Sequence, residues 1–308
     1  MTTSTLRQLD GVLYFPVTPF ASDGSIDERI FADHVSSRMS YNPGAVFAAC
    51  GTGEFHALSS NEVRQVVRAA VLITDGAVPV IAGAGGPLGH AIECAKGAAI
   101  AGADALLILP PYLVSGTADG LVAYVKSIIA ASGLPVIVYH RGVANFTGPA
   151  IRALAEEPLV IGFKDGVGDI GRMQEIVREV HSTGRADIQF FNGLLTAELT
   201  QGAYRGLGVP LYSSAAFAMA PDIAMAHYRA YVSGDEARRL EILDAFYLPL
   251  VALRDQTPGF GVSLVKAGLR LRGQDVGSVR APLVDPDARQ LQELERILSV
   301  GETLAGTR

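Results

Sequence analysis

Short, nearly continuous apolar runs alternate along the chain with longer stretches in which apolar positions recur every three or four residues. The runs fall at 12–17, 45–49, 78–82, 105–109, 135–139, 159–163, 188–191 and 208–212. They are continuous, not alternating, as expected of parallel strands covered on both faces. The stretches 27–39, 88–101, 118–132, 147–156, 170–181, 196–204 and 218–232 predict helices. A further helix opens at a capping box, with Ser59 at the cap and Glu62 three residues on. Eight β-α units over about 230 residues predict a (β/α)8 TIM barrel. The structural rival is a doubly wound sheet, which would carry fewer strands and a break between halves; no linker-like change of composition comes before residue 232. Beyond Gly234 the strand pattern stops, and 236–251, 262–272 and 286–299 read as helices. The expected organisation is a barrel over 1–232 that carries the active site, and a C-terminal helical extension, 233–308, lying across the barrel or serving as assembly surface.

Composition narrows the function classes. The 308 residues are 49% hydrophobic and 18% charged, which suits a packed interior. A net charge of −6 gives no reason to expect a nucleic-acid partner. No run of 18 or more apolar residues occurs, and residues 1–7 lack the basic-then-apolar order of a signal peptide, so a cytoplasmic, non-membrane protein is expected. Cys50 and Cys94 sit in apolar surroundings without metal-type spacing and read as reduced core thiols. The six histidines show no pair at metal-ligand spacing, so no metal is expected.

Lysine usage points to the chemistry. There are only four lysines, at 96, 126, 164 and 266. Lys96, Lys126 and Lys266 lie in helix-like stretches, where a solvated face is the plain reading. Lys164 ends the apolar run Leu159-Val160-Ile161-Gly162-Phe163 and precedes the turn Asp165-Gly166-Val167-Gly168-Asp169. In a barrel, chemistry sits at the C-terminal ends of strands. An amine buried there favours its neutral, nucleophilic form over the ordinary protonated state with a pKa of ~10.4. Tyr139 lies one βα unit earlier, at the end of the adjacent strand, where its hydroxyl could shuttle protons. The plainer alternatives are a salt bridge from Lys164 to Asp165 or Asp169 and an amphipathic core role for Tyr139. The Gly51-Thr52-Gly53 turn after the second strand exposes backbone N–H groups that suit a carboxylate. It reads equally as a tight βα turn that needs glycine for its geometry, with Glu54 bracing the loop. His140 stands beside this site and reads equally as a ligand contact or a residue behind it. Ala82-Gly83-Ala84-Gly85-Gly86 mimics a dinucleotide loop, but it lacks the full glycine spacing and follows the third strand, not the first.

These residues together resemble the dihydrodipicolinate synthase / N-acetylneuraminate lyase superfamily. The likeness rests on Gly51-Thr52-Gly53-Glu54, on Tyr139 after strand five and on Gly162-Phe163-Lys164-Asp165 with Gly168-Asp169. It runs from Phe15-Pro16-Val17-Thr18-Pro19-Phe20 to the C-terminal helices. Ala48-Ala49-Cys50, Tyr212-Ser213-Ser214-Ala215, Lys266-Ala267-Gly268 and Val279-Arg280-Ala281-Pro282-Leu283 liken it to those members that dehydrate and decarboxylate 5-dehydro-4-deoxy-D-glucarate. The resemblance implies that Lys164 forms the Schiff base, Tyr139 moves protons, and Gly51 and Thr52 bind the keto-acid carboxylate. It implies no cofactor beyond the covalent imine, a small keto-sugar diacid as partner, and self-association into a dimer or tetramer. Gly193 and Ser214, after strands seven and eight, are further substrate-binding candidates. The chain departs from the synthases of this superfamily: Leu113 replaces their second, relay tyrosine, and Ala144 replaces an arginine five residues after the strand-five tyrosine. Arg141 and Asn145 are therefore the candidates to anchor the far carboxylate. The other readings are a pyruvate-releasing class I aldolase, a non-catalytic sugar-acid-binding protein on the same barrel, and a dinucleotide-dependent oxidoreductase.

Overall fold

The computed structural model describes residues 9–306; residues 1–7, expected to carry no signal order, lie outside them. Eight parallel strands close into a barrel in chain order: β1 (Leu13–Tyr14), β2 (Ala45–Ala48), β3 (Val80–Ala84), β4 (Ala105–Ile108), β5 (Val136–His140), β6 (Val160–Asp165), β7 (Gln189–Asn192) and β8 (Leu211–Ser214). Closure is made by β8 pairing back onto β1, Leu13 opposite Ser213 and Tyr14 opposite Ser214, which excludes the open doubly wound sheet. The outer helices are α1 (Glu28–Met39), α2 (Ser60–Thr74), α3 (Leu88–Ala101), α4 (Ala118–Ser132), α5 (Gly148–Ala155), α6 (Ile170–Ser182), α7 (Gln201–Gly206), α8 (Ala216–Met219) and α9 (Pro221–Ser233). The capping box read at Ser59 and Glu62 is formed. Then come α10 (Glu236–Ile242), α11 (Leu248–Arg254), α12 (Phe260–Leu271) and α13 (Ala288–Ala305).

Where the elements differ from the hydrophobic pattern, a local cause is present. The helix expected over 218–232 is two helices, broken at Ala220, whose φ of −140° is extended. Pro221 follows it, and the residue before proline is pushed out of the helical region. The helix expected over 236–251 is interrupted by a π-helical turn, Leu243–Tyr247. Pro249 has no amide to offer the carbonyl one turn back, so the ladder shifts there. The helix expected over 196–204 starts instead as a 3-10 turn, Ala197–Leu199, because Thr196 is left-handed at φ 51°. The eighth strand lies at 211–214, not 208–212, because Gly208 takes a left-handed turn (φ 85°) before it.

The glycines of 83–86 have packing reasons. A Cβ on Gly83 would lie 2.3 Å from the Ala49 carbonyl oxygen, and one on Gly85 would lie 2.5 Å from Leu109 Cβ. They let β3 and its loop approach the neighbouring strand ends closely.

The C-terminal helices share the barrel's hydrophobic core: Phe260, Leu264 and Leu269 of α12 and Leu294 and Ile297 of α13 are buried with the strand residues. A charged clamp reinforces this contact. Lys96 and Lys126 are exposed, but Lys266, grouped with them by sequence, is fully buried. Its amine pairs with Glu54 at 2.7 Å, donates to the Ser278 carbonyl at 2.9 Å and lies 4.1 Å from the Phe20 ring centre. Burial lowers its pKa, and the Glu54 carboxylate opposes that shift. Arg280 adds four links: its amide donates to Glu54 (2.8 Å), and its guanidinium donates to the Ala57 carbonyl (2.8 Å) and the Gly24 carbonyl (2.7 Å) and pairs with Glu62 (2.6 Å). Glu54 thus braces the β2–α2 loop, as one sequence reading had it, through partners more than 200 residues away. Removing one member of a buried pair strands the other charge. Lys266→Met is expected to destabilise the protein by about 3–5 kcal/mol in denaturant unfolding, and the double variant Glu54→Gln/Lys266→Met to recover most of the loss.

Candidate active site

A cleft of about 1230 Å3 opens at the C-terminal end of the barrel. Lys164 is not placed after β6 but within it, paired in register with Tyr139 of β5 and Phe191 of β7. Alternation along the strand turns the Lys164 side chain into the barrel mouth. It is 5% exposed and lines the cleft. Its Nζ lies 4.3 Å from the Phe15 ring centre and 4.5 Å from that of Tyr139. Among the described residues it forms no ion pair with Asp165 or Asp169. Asp165 instead accepts from the amides of Val167 (3.0 Å) and Gly168 (3.2 Å) and from the Tyr204 hydroxyl, so it shapes the turn; Asp169 caps α6. Burial brings the Lys164 pKa down to about 7, with the Cys50 sulfur opposing and the Arg141 charge adding to the fall. Burial also pushes the Cys50 thiol up to about 12, so this neighbour remains neutral. A ring-walled amine without a counter-ion is a nucleophile at neutral pH.

The Tyr139 hydroxyl donates to the Gly193 carbonyl at 2.7 Å and accepts from Arg141 Nη1 at 2.9 Å. Burial raises its pKa, with the Arg141 charge opposing, so it holds its proton. Gly193 follows β7 and lines the cleft. A Cβ there would lie 2.4 Å from Lys164 Cε and 2.8 Å from the Asp165 carbonyl oxygen, so only glycine lets the lysine pass.

The Gly51-Thr52 turn also lines the cleft. Gly51 is not left-handed, and a Cβ on it would meet nothing within 4 Å. The strained positions of this loop are Ala49 and Glu54, at φ 50° and 58°, and the close approach is at Gly53, against the Ala49 backbone. Loop geometry therefore gives no reason for glycine at 51. The Gly51 and Thr52 amides have no protein acceptor among the described residues, which leaves them available to an anion.

The remaining candidates divide. Arg141 and Leu113 line the cleft. Asn145 is exposed and is not part of the lining. Ser214 is fully buried behind the wall, donating to Glu198 at 2.5 Å and accepting from the Phe217 amide; its neighbour Ser213 is the one that lines the cleft. His140 is buried with its Nδ1 accepting from the Phe146 amide at 3.1 Å, so it holds the β5–α5 loop and does not face the cleft. The sequence reading missed the wall contributed by the C-terminal region, from Leu250 to Val265, including Arg254. Nothing in the local pattern there signals a site. It also missed Phe15, although the Phe15-Pro16 motif was in view.

Residues 8–300 match the Dihydrodipicolinate synthetase family, and the chain belongs to it. A probable 5-dehydro-4-deoxyglucarate dehydratase of Streptomyces griseus is 52% identical over 301 residues, covering 97% of this chain and 94% of the relative. A probable 5-dehydro-4-deoxyglucarate dehydratase 1 of Streptomyces coelicolor is 48% identical, covering 96% and 93%. Among solved structures, the dihydrodipicolinate synthase of Oceanobacillus iheyensis superposes with a TM-score of 0.88 at 25% identity, over 98% of this chain and 99% of that one.

Gly193→Ala should displace the Lys164 side chain while leaving the barrel closed. Borohydride-trapped adduct formation with a 2-oxo acid is expected to slow about 100-fold or more, with far-ultraviolet circular dichroism unchanged.

Proposed function

We propose that the protein is a decarboxylating hydro-lyase that converts 5-dehydro-4-deoxy-D-glucarate to 2,5-dioxopentanoate, water and carbon dioxide through an imine on Lys164. The observation that carries the imine is the Lys164 amine itself, walled by two rings at the mouth of the cleft with no carboxylate paired to it. The choice of substrate is supported by the relatives named for that reaction.

The keto-acid carboxylate of the substrate docks on the Gly51 and Thr52 amides. Lys164 attacks the ketone, and the Tyr139 hydroxyl passes a proton to the departing oxygen as the iminium forms. The positive nitrogen acidifies the adjacent methylene. Its proton leaves to Tyr139 or to a water that Tyr139 holds, and the resulting enamine expels the β-hydroxyl as water. The new double bond is conjugated with the iminium. Loss of carbon dioxide from the far carboxylate then sends its electron pair through that double bond into the nitrogen. Protonation at carbon and hydrolysis release the product and the free amine. One lysine serves as electron sink for both steps, so the reading requires no metal or organic cofactor. Arg141 holds the tyrosine hydroxyl in place and keeps a positive charge beside it. A homo-oligomer, dimer or tetramer, in the cytoplasm completes the reading; sedimentation velocity tests the assembly, and the free, buried Cys50 and Cys94 suit a reducing compartment.

A pyruvate-releasing aldolase would use the same imine but cleave a carbon–carbon bond. Incubation with the keto-diacid, monitoring carbon dioxide and pyruvate together, separates the two; pyruvate without carbon dioxide refutes the dehydratase. Borohydride with substrate is expected to fix one adduct on Lys164. Lys164→Arg should abolish trapping and reduce turnover below about a thousandth, and Tyr139→Phe should lower kcat about 100- to 10,000-fold. The amine attacks only when neutral, so kcat/KM is expected to fall as pH drops through about 7, the value to which burial brings Lys164, and to level off above it.

A further inference from the structure

The substrate proposed above is a diacid, and the groups assigned to it so far account for one carboxylate. The Gly51-Thr52 amides carry no net charge, Lys164 is neutral when it attacks, and the Arg141 guanidinium gives one of its donors to the Tyr139 hydroxyl, which ties it to the group that moves protons. A second carboxylate calls for a cation in the cleft that is not tied to the proton-transfer group.

Arg254, the last residue of α11, lines the same cleft with a side chain only 15% exposed. Its Nε donates to Asp255 at 2.8 Å and its Nη1 donates to the Thr196 hydroxyl at 2.7 Å. Nη2 has no protein acceptor among the described residues. Asp255 neutralises it weakly, because that carboxylate is 61% exposed and hydrated. The other carboxyl near Arg254 is Glu198, fully buried and bonded to Ser214; burial raises its pKa to about 7, so at neutral pH it cancels only part of the arginine's charge. The guanidinium is thus fixed at two corners with its outer edge available.

Thr196 supplies an independent observation. It also lines the cleft, and it is left-handed at φ 51°, ψ 62°. A β-branched residue in that region is strained, and such strain concentrates at functional sites. The strain turns the Thr196 hydroxyl to Arg254. Because this oxygen accepts from Nη1, its own proton points elsewhere and can be donated. Asn192 holds the loop in this shape, its side-chain amide donating to the Ala197 carbonyl and to the Thr200 hydroxyl.

We infer that Arg254 and Thr196 form the subsite for the substrate's second carboxylate, and so determine the preference for a diacid over a monocarboxylic 2-oxo acid. This inference rests on the imine reading but can fail separately from it. The subsite lies in the part of the cleft built by the β7 loop and the C-terminal helices, next to the Lys164 strand in the closed barrel and three strands from the one that carries the Gly51-Thr52 turn. The carboxylate held there is the one lost as carbon dioxide. Its charge is matched in the bound state by a delocalised cation that makes directed hydrogen bonds, which orients the bond to be broken.

The test compares two substrates in one variant. In Arg254→Met, KM for 5-dehydro-4-deoxyglucarate is expected to rise about 10- to 100-fold, the value of one or two charge-assisted hydrogen bonds. Borohydride trapping of pyruvate on Lys164, which needs no second carboxylate, should keep its wild-type concentration dependence. Thr196→Val, which keeps the shape and removes the hydroxyl, should raise the same KM by a smaller factor, again with pyruvate trapping unchanged. An unchanged KM for the diacid in either variant overturns the subsite, as does an equal loss with diacid and pyruvate. If Arg254→Met does not fold, Thr196→Val and the partial recovery expected in Arg254→Lys decide the question alone. Failure of wild-type protein to trap any 2-oxo acid refutes the imine reading itself.

Discussion

A lysine amine held out of water with no carboxylate beside it is the constraint around which this barrel is arranged. Desolvation brings the Lys164 pKa down to about 7, and every neighbour is compatible with keeping it there. Phe15 and Tyr139 present ring faces, Cys50 holds a neutral thiol, and the nearest acid, Asp165, turns its oxygens away to the amides of its own turn. Gly193 supplies the missing volume through which the side chain passes. An ion pair with Asp165 would have returned the amine to its charged, unreactive form.

The surrounding loops are held at long range. The turn carrying Gly51 and Thr52 is fixed by Glu54, whose carboxylate is clamped by Lys266 and by the Arg280 amide. The buried ion pair therefore ties the Gly51-Thr52 turn to the C-terminal helices. The same helices bring Arg254 to the cleft. The C-terminal region is thus a wall of the site and a brace for the Gly51-Thr52 turn.

Several parts of this arrangement were legible in the chain. Continuous apolar runs at regular spacing, with glycine-rich turns after them, specify parallel strands and a barrel because both faces of each strand are covered. Lys164 and Tyr139 were legible because a rare lysine at a strand end has few structural uses, and because one βα unit separates adjacent strands. Asn145 and Ser214 show the limit of the same reasoning. Both follow strand ends in sequence, yet Asn145 is exposed outside the cleft and Ser214 lies behind its wall. A one-residue change of register exchanges the face of a strand side chain, so Ser213 lines the cleft where Ser214 does not.

By itself, then, the sequence determined the barrel, the order of its strands and the placement of Lys164 beside Tyr139 at adjacent strand ends, since these follow from local periodicity and from the rarity of lysine in the chain. Only the tertiary structure decided the protonation of Lys164, the burial of Lys266 against Glu54, the strain at Thr196 and the entry of Arg254 into the cleft. Each of these depends on groups far apart in the chain meeting in a space closed to water, and desolvation, unlike periodicity, belongs to the packed molecule and not to any segment of it.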